Sequence, residues 1–286
     1  MVTVRVPATT ANLGPGFDTL GLALALYNTL TFEELAEGLY FEGVDPEYAT
    51  AENLAVVAYK AVLSKLGLPM PGLRISVQAE IPICRGLGSS AALIAAGAAG
   101  ANANHGSPLT RAELLAVCND IEGHPDNLAP AIFGGLVASF VENERPYIAR
   151  YSLHKRLRCT ALIPDFQLST HLARGVLPKE VPYGDAIFNV SRTAVLLRAL
   201  EEGDTETISV SLRDKLHQPF RRTLIPGFDE AEALANSCGC VAFFISGAGP
   251  TLLCLSADPD FDARLAARLS ELPGHWRQLP LPVDHE

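Results

Sequence analysis

Strands and helices are mixed along the whole of this chain, which places it in the mixed α and β class, with two domains joined near residues 150–158. Three observations predict that arrangement. Residues 73–81 alternate apolar and polar side chains except at Ala79, the period of a half-buried strand, and run through a glycine turn into a small-residue helical stretch ending at Asn104. Segments with both the strand and the helix period recur on either side of that unit. A basic cluster, Arg150, His154, Lys155, Arg156 and Arg158, then separates an apolar strand over 136–141 from another over 159–163, and reads as a solvated connection. The domains are accordingly expected over residues 1–155 and 156–286.

In chain order, Val2, Val4 and Val6 alternate with Thr3 and Arg5 and predict an amino-terminal strand. The Gly, Pro and Asn content of residues 8–18 predicts a loop. Residues 20–26 are apolar and predict a second strand, followed by a polar stretch as far as Asn53. Asn53 and Leu54 open a helix through Leu66, apolar at 54, 57, 58, 61, 62 and 66 and closed by Gly67. Pro82 ends the 73–81 strand because it can donate no ladder hydrogen bond, and Ser89 or Ser90 caps the helix that follows. Thr110, with Glu113 three residues on, signals a capping box for a helix reaching Ile121. Beyond the connection, Ser169 and Thr170 cap a short helix holding Arg174, residues 186–200 are helical, 241–255 read as strand, glycine turn and strand, and 261–272 form a last helix.

Apolar residues make up 48% of the 286 and charged residues 19%, so a large buried core is expected. The net charge is −10 and no stripe of Lys and Arg occurs, which argues against nucleic acid as a partner. The six cysteines show no zinc spacing, and free thiols in a reducing cytoplasm are expected. No apolar run suits a bilayer, so no membrane partner is expected, and the start Met1-Val2-Thr3-Val4 is no signal peptide. Asn189-Val190-Ser191 fits a glycosylation sequon and is read as a chance match.

The chemistry concentrates in three places. In Arg85-Gly86-Leu87-Gly88-Ser89-Ser90, the glycines let backbone N–H groups approach a ligand, and a helix start favours a phosphate. No Gly-Lys-Ser/Thr follows, so this is not a Walker loop, and Ala91 stands where a dinucleotide fingerprint needs its third glycine. Glu122, His124, Asp126 and Asn127 gather at a predicted helix end among glycines and prolines. The loop over 8–18 carries Asn12 before a Gly-Pro-Gly turn and Asp18 after it.

The string Pro82-Ile83-Cys84-Arg85-Gly86-Leu87-Gly88-Ser89-Ser90-Ala91-Ala92 resembles the nucleotide-binding motif of the GHMP kinases. The stretch from Val6 to Gly21 is similar to the first motif of the homoserine-phosphorylating branch, as is the segment from Glu122 to Gly135, and the glycine turn around Gly247 resembles the third motif, whose glycines approach the loop of the first. The resemblance covers nearly the whole chain. It implies an α+β fold with an S5-like amino-terminal domain and a ferredoxin-like carboxy-terminal domain, a homodimer, and ATP-dependent phosphorylation of the L-homoserine side chain in threonine biosynthesis. It assigns Asn53 and residues 82–92 to the nucleotide, and Mg²⁺ to Glu122 with one hydroxyl of Ser89 or Ser90, Ser90 being the one taken. Substrate contacts fall on Asn12, Asp18, His124, Thr170, Arg174, Arg221 and Gly247; Arg221 is chosen over Arg222 by its distance after Pro219. Asp126 and Asn127 are assigned as catalytic residues, with Asp126 either a base or an orienting group.

A carboxylate suits the planar fork of Arg, which Arg174 and Arg221 offer, and an ammonium wants acceptors, which Asp18 and Asn12 offer. His124 is expected at the hydroxyl or the substrate backbone.

Overall fold

The computed structural model describes residues 1–285. Its elements run β1 (Val2–Ala11), β2 (Leu20–Leu35), β3 (Leu39–Glu42), α1 (Leu54–Lys65), β4 (Gly72–Ala79), α2 (Ser89–Asn104), α3 (Arg111–Glu122), α4 (Leu128–Phe133), β5 (Leu136–Glu142) and β6 (Arg145–Tyr151). Then come β7 (Arg158–Pro164), α5 (Thr170–Gly175), α6 (Tyr183–Glu202), α7 (Thr205–Ser211), α8 (Gln218–Arg221), α9 (Phe228–Ser237), β8 (Ala242–Ile245), β9 (Leu252–Ser256), α10 (Phe261–Arg268) and β10 (Trp276–Pro280).

Two sheets organise them. The first runs β3-β4-β2-β5-β6, with β1 also paired to β2, and the second runs β10-β7-β9-β8. The long strand β2 serves three neighbours. Its start, Leu20 to Leu22, pairs with β5, its end from Asn28 to Leu35 pairs with β4, and β1 follows it almost throughout. The gap between β4 and β5 is taken up by the carboxy-terminal segment: Ala25 N–H donates to Pro282 O at 2.8 Å and Asp284 N–H to Ala23 O at 3.1 Å.

Alternation along β9 explains how the second sheet is covered. Leu253 and Leu255 face the large core shared with Leu196 and Leu200 of α6, whereas Leu252 and Cys254 face a smaller core with Phe228 and Leu234 of α9 and Phe261 of α10. Both faces are therefore dry. Burial also pushes the thiols of Cys118 and Cys159 up to about 12, which keeps them protonated and inert.

Helix α2 lies against α1 and β1 because it is built from Ala and Gly. A Cβ at Gly97 would stand 2.1 Å from Ala55 O, and one at Gly100 would stand 2.4 Å from the Phe32 ring. Gly97→Ala sets two effects against each other. Alanine favours a helix by roughly 0.5–1 kcal/mol, but overpacking typically costs about 1–3 kcal/mol. Because the obstacle is backbone, which cannot swing aside, overpacking wins, and urea unfolding is expected to show a net loss of about 1–2 kcal/mol. A variant as stable as the parent would refute this packing account.

Several expectations are revised. Residues 8–11 continue β1, so the loop begins only at Asn12. Residues 27–35 extend β2, and 39–42 form a strand of their own within the stretch read as polar. Helix α2 starts at Ser89 with Gly88 at the cap position in the left-handed region, and neither Ser89 nor Ser90 caps it. Arg150 lies in β6 rather than in the connection. Strand β10 and helices α4, α7 and α9 add elements that had no counterpart among the expectations. The Asn53 cap of α1 and the Thr110–Glu113 capping box of α3 stand as expected.

Candidate active site

A cleft of about 520 Å³ runs between the glycine turn before α2, the loop after β1, the start of α4, helix α5 and the β8–β9 turn. At its centre the turn over 84–88 uses left-handed backbone at Cys84, Gly86 and Gly88. Two of these positions are enforced by contact. A Cβ on Gly88 would fall 1.9 Å from Thr9 Oγ1, and one on Gly86 would fall 2.4 Å from Ser246 O and 2.7 Å from Gly249 O. Ser246 Oγ donates to Gly86 O at 2.6 Å, Thr251 N–H to Arg85 O at 3.2 Å, and Thr9 N–H to Leu87 O at 3.1 Å. The turn is thus held by β1 on one side and the β8–β9 hairpin on the other, with the free end of α2 pointing into the cleft.

Ser90 Oγ donates to Glu122 Oε2 at 2.8 Å, joining the first turn of α2 to the last residue of α3. Among the described residues no group of three or more His, Cys, Asp or Glu is gathered as a metal cage. One carboxylate beside one hydroxyl nonetheless suits a cation that keeps several waters and draws other ligands from phosphate oxygens.

Past Gly123, His124 Nδ1 donates to Asp126 Oδ1 at 3.2 Å. That bond, to a buried carboxylate, raises the imidazole pKa above its ordinary value, although burial works against it. Asp126 Oδ1 also accepts from Asn127 N–H at 3.0 Å, and Asn127 Oδ1 accepts from Thr9 Oγ1 at 2.7 Å. The short segment before α4 is therefore fixed side chain by side chain.

At the far end, two arginines flank Phe17, with guanidinium carbons 5.6 Å (Arg174) and 5.1 Å (Arg221) from its ring centre. Arg174 forks onto both oxygens of Asp18, at 2.7 and 3.1 Å. Arg221 is only 2% exposed yet contacts neutral acceptors: Nε donates to Ala173 O at 3.1 Å and Nη1 to Gly247 O at 3.0 Å. Among the described residues it forms no salt bridge, and burial, then the charge of Arg174, pulls its pKa down to about 10. A buried cation without an anion is costly, so this end of the cleft is prepared for one. Asn12 is engaged at both ends of its amide, donating to Gly247 O at 2.8 Å and accepting from Asp18 N–H at 3.0 Å.

The cleft gathers Asn12, Asp18, Asn53, Ile83, Cys84, Arg85, Gly86, Gly88, Ser89, Ser90, Ala91, Glu122, His124, Asp126, Asn127, Thr170, Arg174, Arg221 and Gly247. Pro82, Leu87 and Ala92 do not line it; Leu87 and Ala92 are buried in the core and support the turn from behind. Asn53 reaches the cleft while its side chain caps α1 and holds Tyr48 O at 2.9 Å.

The chain matches the GHMP kinases N terminal domain over residues 53–135, which include the phosphate turn, and the GHMP kinases C terminal domain over residues 196–273, which include the β8–β9 turn. A homoserine kinase of Clostridium botulinum is 43% identical over 286 residues, covering 99% of this chain and 96% of the relative. The chain belongs to the homoserine kinase family of GHMP kinases. A homoserine kinase of Clostridium beijerinckii is 40% identical, with 100% of this chain and 97% of the relative covered. The crystal structure of homoserine kinase from Cytophaga hutchinsonii superposes with a TM-score of 0.87 at 26% identity, covering 99% of this chain and 96% of that one.

The GHMP kinase fold accounts for the α+β architecture, and a phosphotransferase family has ATP as its donor. Against this background, three residues that sequence reasoning passed over stand out. Thr9 sits fully buried between Gly88 and Asn127, and only its place in the first motif could have drawn attention to it. Phe17 was the one aromatic in the loop, directly after Gly-Pro-Gly. His217, in the string Leu216-His217-Gln218-Pro219, is buried against the same loop. A further wall of the cleft, from Gly43 to Thr50 with Val77, Ile81 and Leu93, went unread as well.

Proposed function

We propose that the protein transfers the γ-phosphoryl group of ATP to the side-chain hydroxyl of L-homoserine, giving O-phospho-L-homoserine and ADP on the way to threonine. The observation that carries this reading is Arg221, a buried guanidinium with neutral partners only, at the far end of a cleft that begins at a helix N-terminus lined with N–H groups. One end suits a polyphosphate, the other a small carboxylate. Arg85 Nη1, buried and without a hydrogen-bond partner among the described residues, adds a donor beside the phosphate turn.

In the reaction, the hydroxyl oxygen forms a bond to the γ-phosphorus while the bond from that phosphorus to the bridging oxygen of ADP breaks, and the hydroxyl proton passes to the transferred phosphate. Arg221 and Arg174 bind the carboxylate, and Asp18, with the remaining lone pair of Asn12 Oδ1, binds the ammonium. Thr170 closes the same end, and Gly247 O steadies Arg221 and Asn12. His124, held by Asp126, donates toward the hydroxyl. Asp126 and Asn127 orient the acceptor rather than take its proton, since both are already engaged with His124 and Thr9. Fixing the substrate at three points supplies much of the rate in a loose phosphoryl transfer.

Glu122 and Ser90 would hold Mg²⁺, which when bound neutralises charge on the phosphates. Glu122→Ala is therefore expected to raise the Mg²⁺ concentration needed for half-maximal activity by about tenfold, roughly one charged ligand's worth, and to weaken Mg²⁺-dependent ADP binding in calorimetry. Titrations that match the wild type would remove Glu122 from the metal shell.

A domain boundary at 155/156 is supported by the break between β6, which ends at Tyr151, and β7, which begins at Arg158. Six free thiols favour a cytoplasmic protein, and among the described residues no helix is long and apolar enough to cross a membrane. Tyr183, Ile187 and Val190 form an exposed apolar stripe on α6, which favours a homodimer that sedimentation at micromolar concentration would reveal. Release of ADP measured with homoserine, shikimate and mevalonate in parallel tests the main reading. Turnover with homoserine alone is expected, and preference for either other alcohol would overturn it.

A further inference from the structure

The geometry points to His217 as the positioning residue for Arg221, holding the guanidinium at the angle the substrate carboxylate requires. This rests on the reading of Arg221 as a carboxylate ligand. His217 is completely buried and stands four residues before Arg221, so the two side chains share one face of the turn that α8 forms.

Its two ring nitrogens have different partners, and Nε2 also lies 3.6 Å from the carboxylate oxygen Asp214 Oδ2. Nε2 lies 2.9 Å from Gly14 O, which can only accept, so Nε2 carries the proton. Nδ1 lies 3.4 Å from Arg221 Nη1, which can only donate, so Nδ1 presents a lone pair. A protonated ring would turn an N–H toward the guanidinium, and burial holds the imidazole pKa below its ordinary value even against the pull of the Asp214 carboxylate. One neutral tautomer thus satisfies both neighbours and links the Gly-Pro-Gly turn to the arginine.

The ring's plane is set too. His217 stacks on Phe17 with centroids 5.2 Å apart and 20° between planes, and Phe17 in turn lies 5.1 Å from the Arg221 guanidinium carbon. Behind it, Asp214 Oδ2 accepts from His217 N–H at 2.9 Å and from Gln218 N–H at 2.6 Å. Asp214 Oδ1 accepts from Asn189 Nδ2 at 2.6 Å, and the same amide reaches Pro15 O at 3.0 Å. Asn189 is 2% exposed, so the sequon it begins is a structural asparagine and no glycan acceptor. The whole assembly fixes one edge of the imidazole toward Arg221. None of these groups reaches the phosphate turn, so the effect belongs to the acceptor substrate alone.

Two substitutions separate the ring's two contacts. His217→Asn places an amide oxygen near the position of Nδ1 and keeps an acceptor for Arg221. His217→Gln extends an amide nitrogen toward Gly14 and keeps only that contact. With homoserine varied, His217→Gln is expected to raise KM about tenfold, the worth of one hydrogen bond to a charged group, while His217→Asn stays close to wild type; KM for ATP is unchanged in both. The reverse order would assign His217 to the Gly14 turn and overturn the proposal, as would equal rises in KM for both substrates.

Nitrogen-15 spectra of the substrate-free protein decide the point without any turnover, the His217 signals being assigned by their loss in His217→Gln. A neutral ring protonated at Nε2, with an Nδ1 resonance that moves in Arg221→Lys, supports the proposal. Protonation at Nδ1, or a resonance indifferent to that change, refutes it. If the wild type fails to turn over homoserine, the functional reading falls and the spectra alone judge His217.

Discussion

Arg221→Ala is expected to lower kcat/KM for homoserine by two to three orders of magnitude, corresponding to about 3–4 kcal/mol. The size follows from burial. An exposed ion pair contributes roughly 0–1 kcal/mol because water screens it. Arg221 is 2% exposed, and its bonds run to Ala173 O and Gly247 O, so among the described residues no carboxylate pairs with it directly and the substrate carboxylate would be its direct counter-charge. Truncation leaves that carboxylate desolvated and half unpaired, which is the costly situation. Arg174 supplies the other half of the carboxylate's pairing but shares its charge with Asp18, onto which it is forked, so it does not replace Arg221. The loss is expected mainly in KM for homoserine, with KM for ATP little changed. Steady-state kinetics with each substrate varied in turn would measure it, and a change below about tenfold would show that the carboxylate is held elsewhere.

Gly86→Ala is expected to abolish most activity through the other substrate, with kcat/KM for ATP falling by at least about a hundredfold, since misplacement by about 1 Å can cost that much. Two effects add. The residue has φ near +76°, where an L side chain pays roughly 1–2 kcal/mol. More severely, the new methyl would stand 2.4 Å from Ser246 O and 2.7 Å from Gly249 O, both backbone oxygens of the β8–β9 turn, and Ser246 O is already held by Gly249 N–H at 2.8 Å. The phosphate turn has to shift instead, which swings its N–H groups out of line. Calorimetry of ADP binding and kinetics with varied ATP read the same displacement. Nucleotide affinity equal to the wild type would mean the turn does not carry the phosphates.

The most legible part of the fold was the β4–turn–α2 unit, where a two-residue period, a proline stop and paired glycines all agreed. Helix caps were legible for the same reason: Asn53 and Thr110 satisfy orphan N–H groups by rules that act within four residues. Strand β6 and the outer half of β2 were not: β6 is a sheet edge with charged and aromatic side chains toward solvent, which reads like a connection, and residues 27–35 of β2 carry polar and acidic side chains between the apolar ones, although that half is paired on both sides. The same limit applied to the site. Arg174 and Asp18 were visible as charges in motifs, but their mutual pairing joins positions 156 residues apart, and no local pattern encodes it. Thr9 and His217 act through partners distant in sequence, Asn127 and Gly14, and each looks like an ordinary buried residue until the chain is folded.

The β8–β9 turn touches both ends of the cleft. Through Ser246 it grips the phosphate turn, and through the single carbonyl of Gly247 it carries Arg221 and Asn12 together. That makes it a keystone rather than a wall. Donor and acceptor are registered against one common piece of backbone, so their spacing is set by a hairpin that belongs to neither subsite, and a distortion there would be felt by both substrates at once.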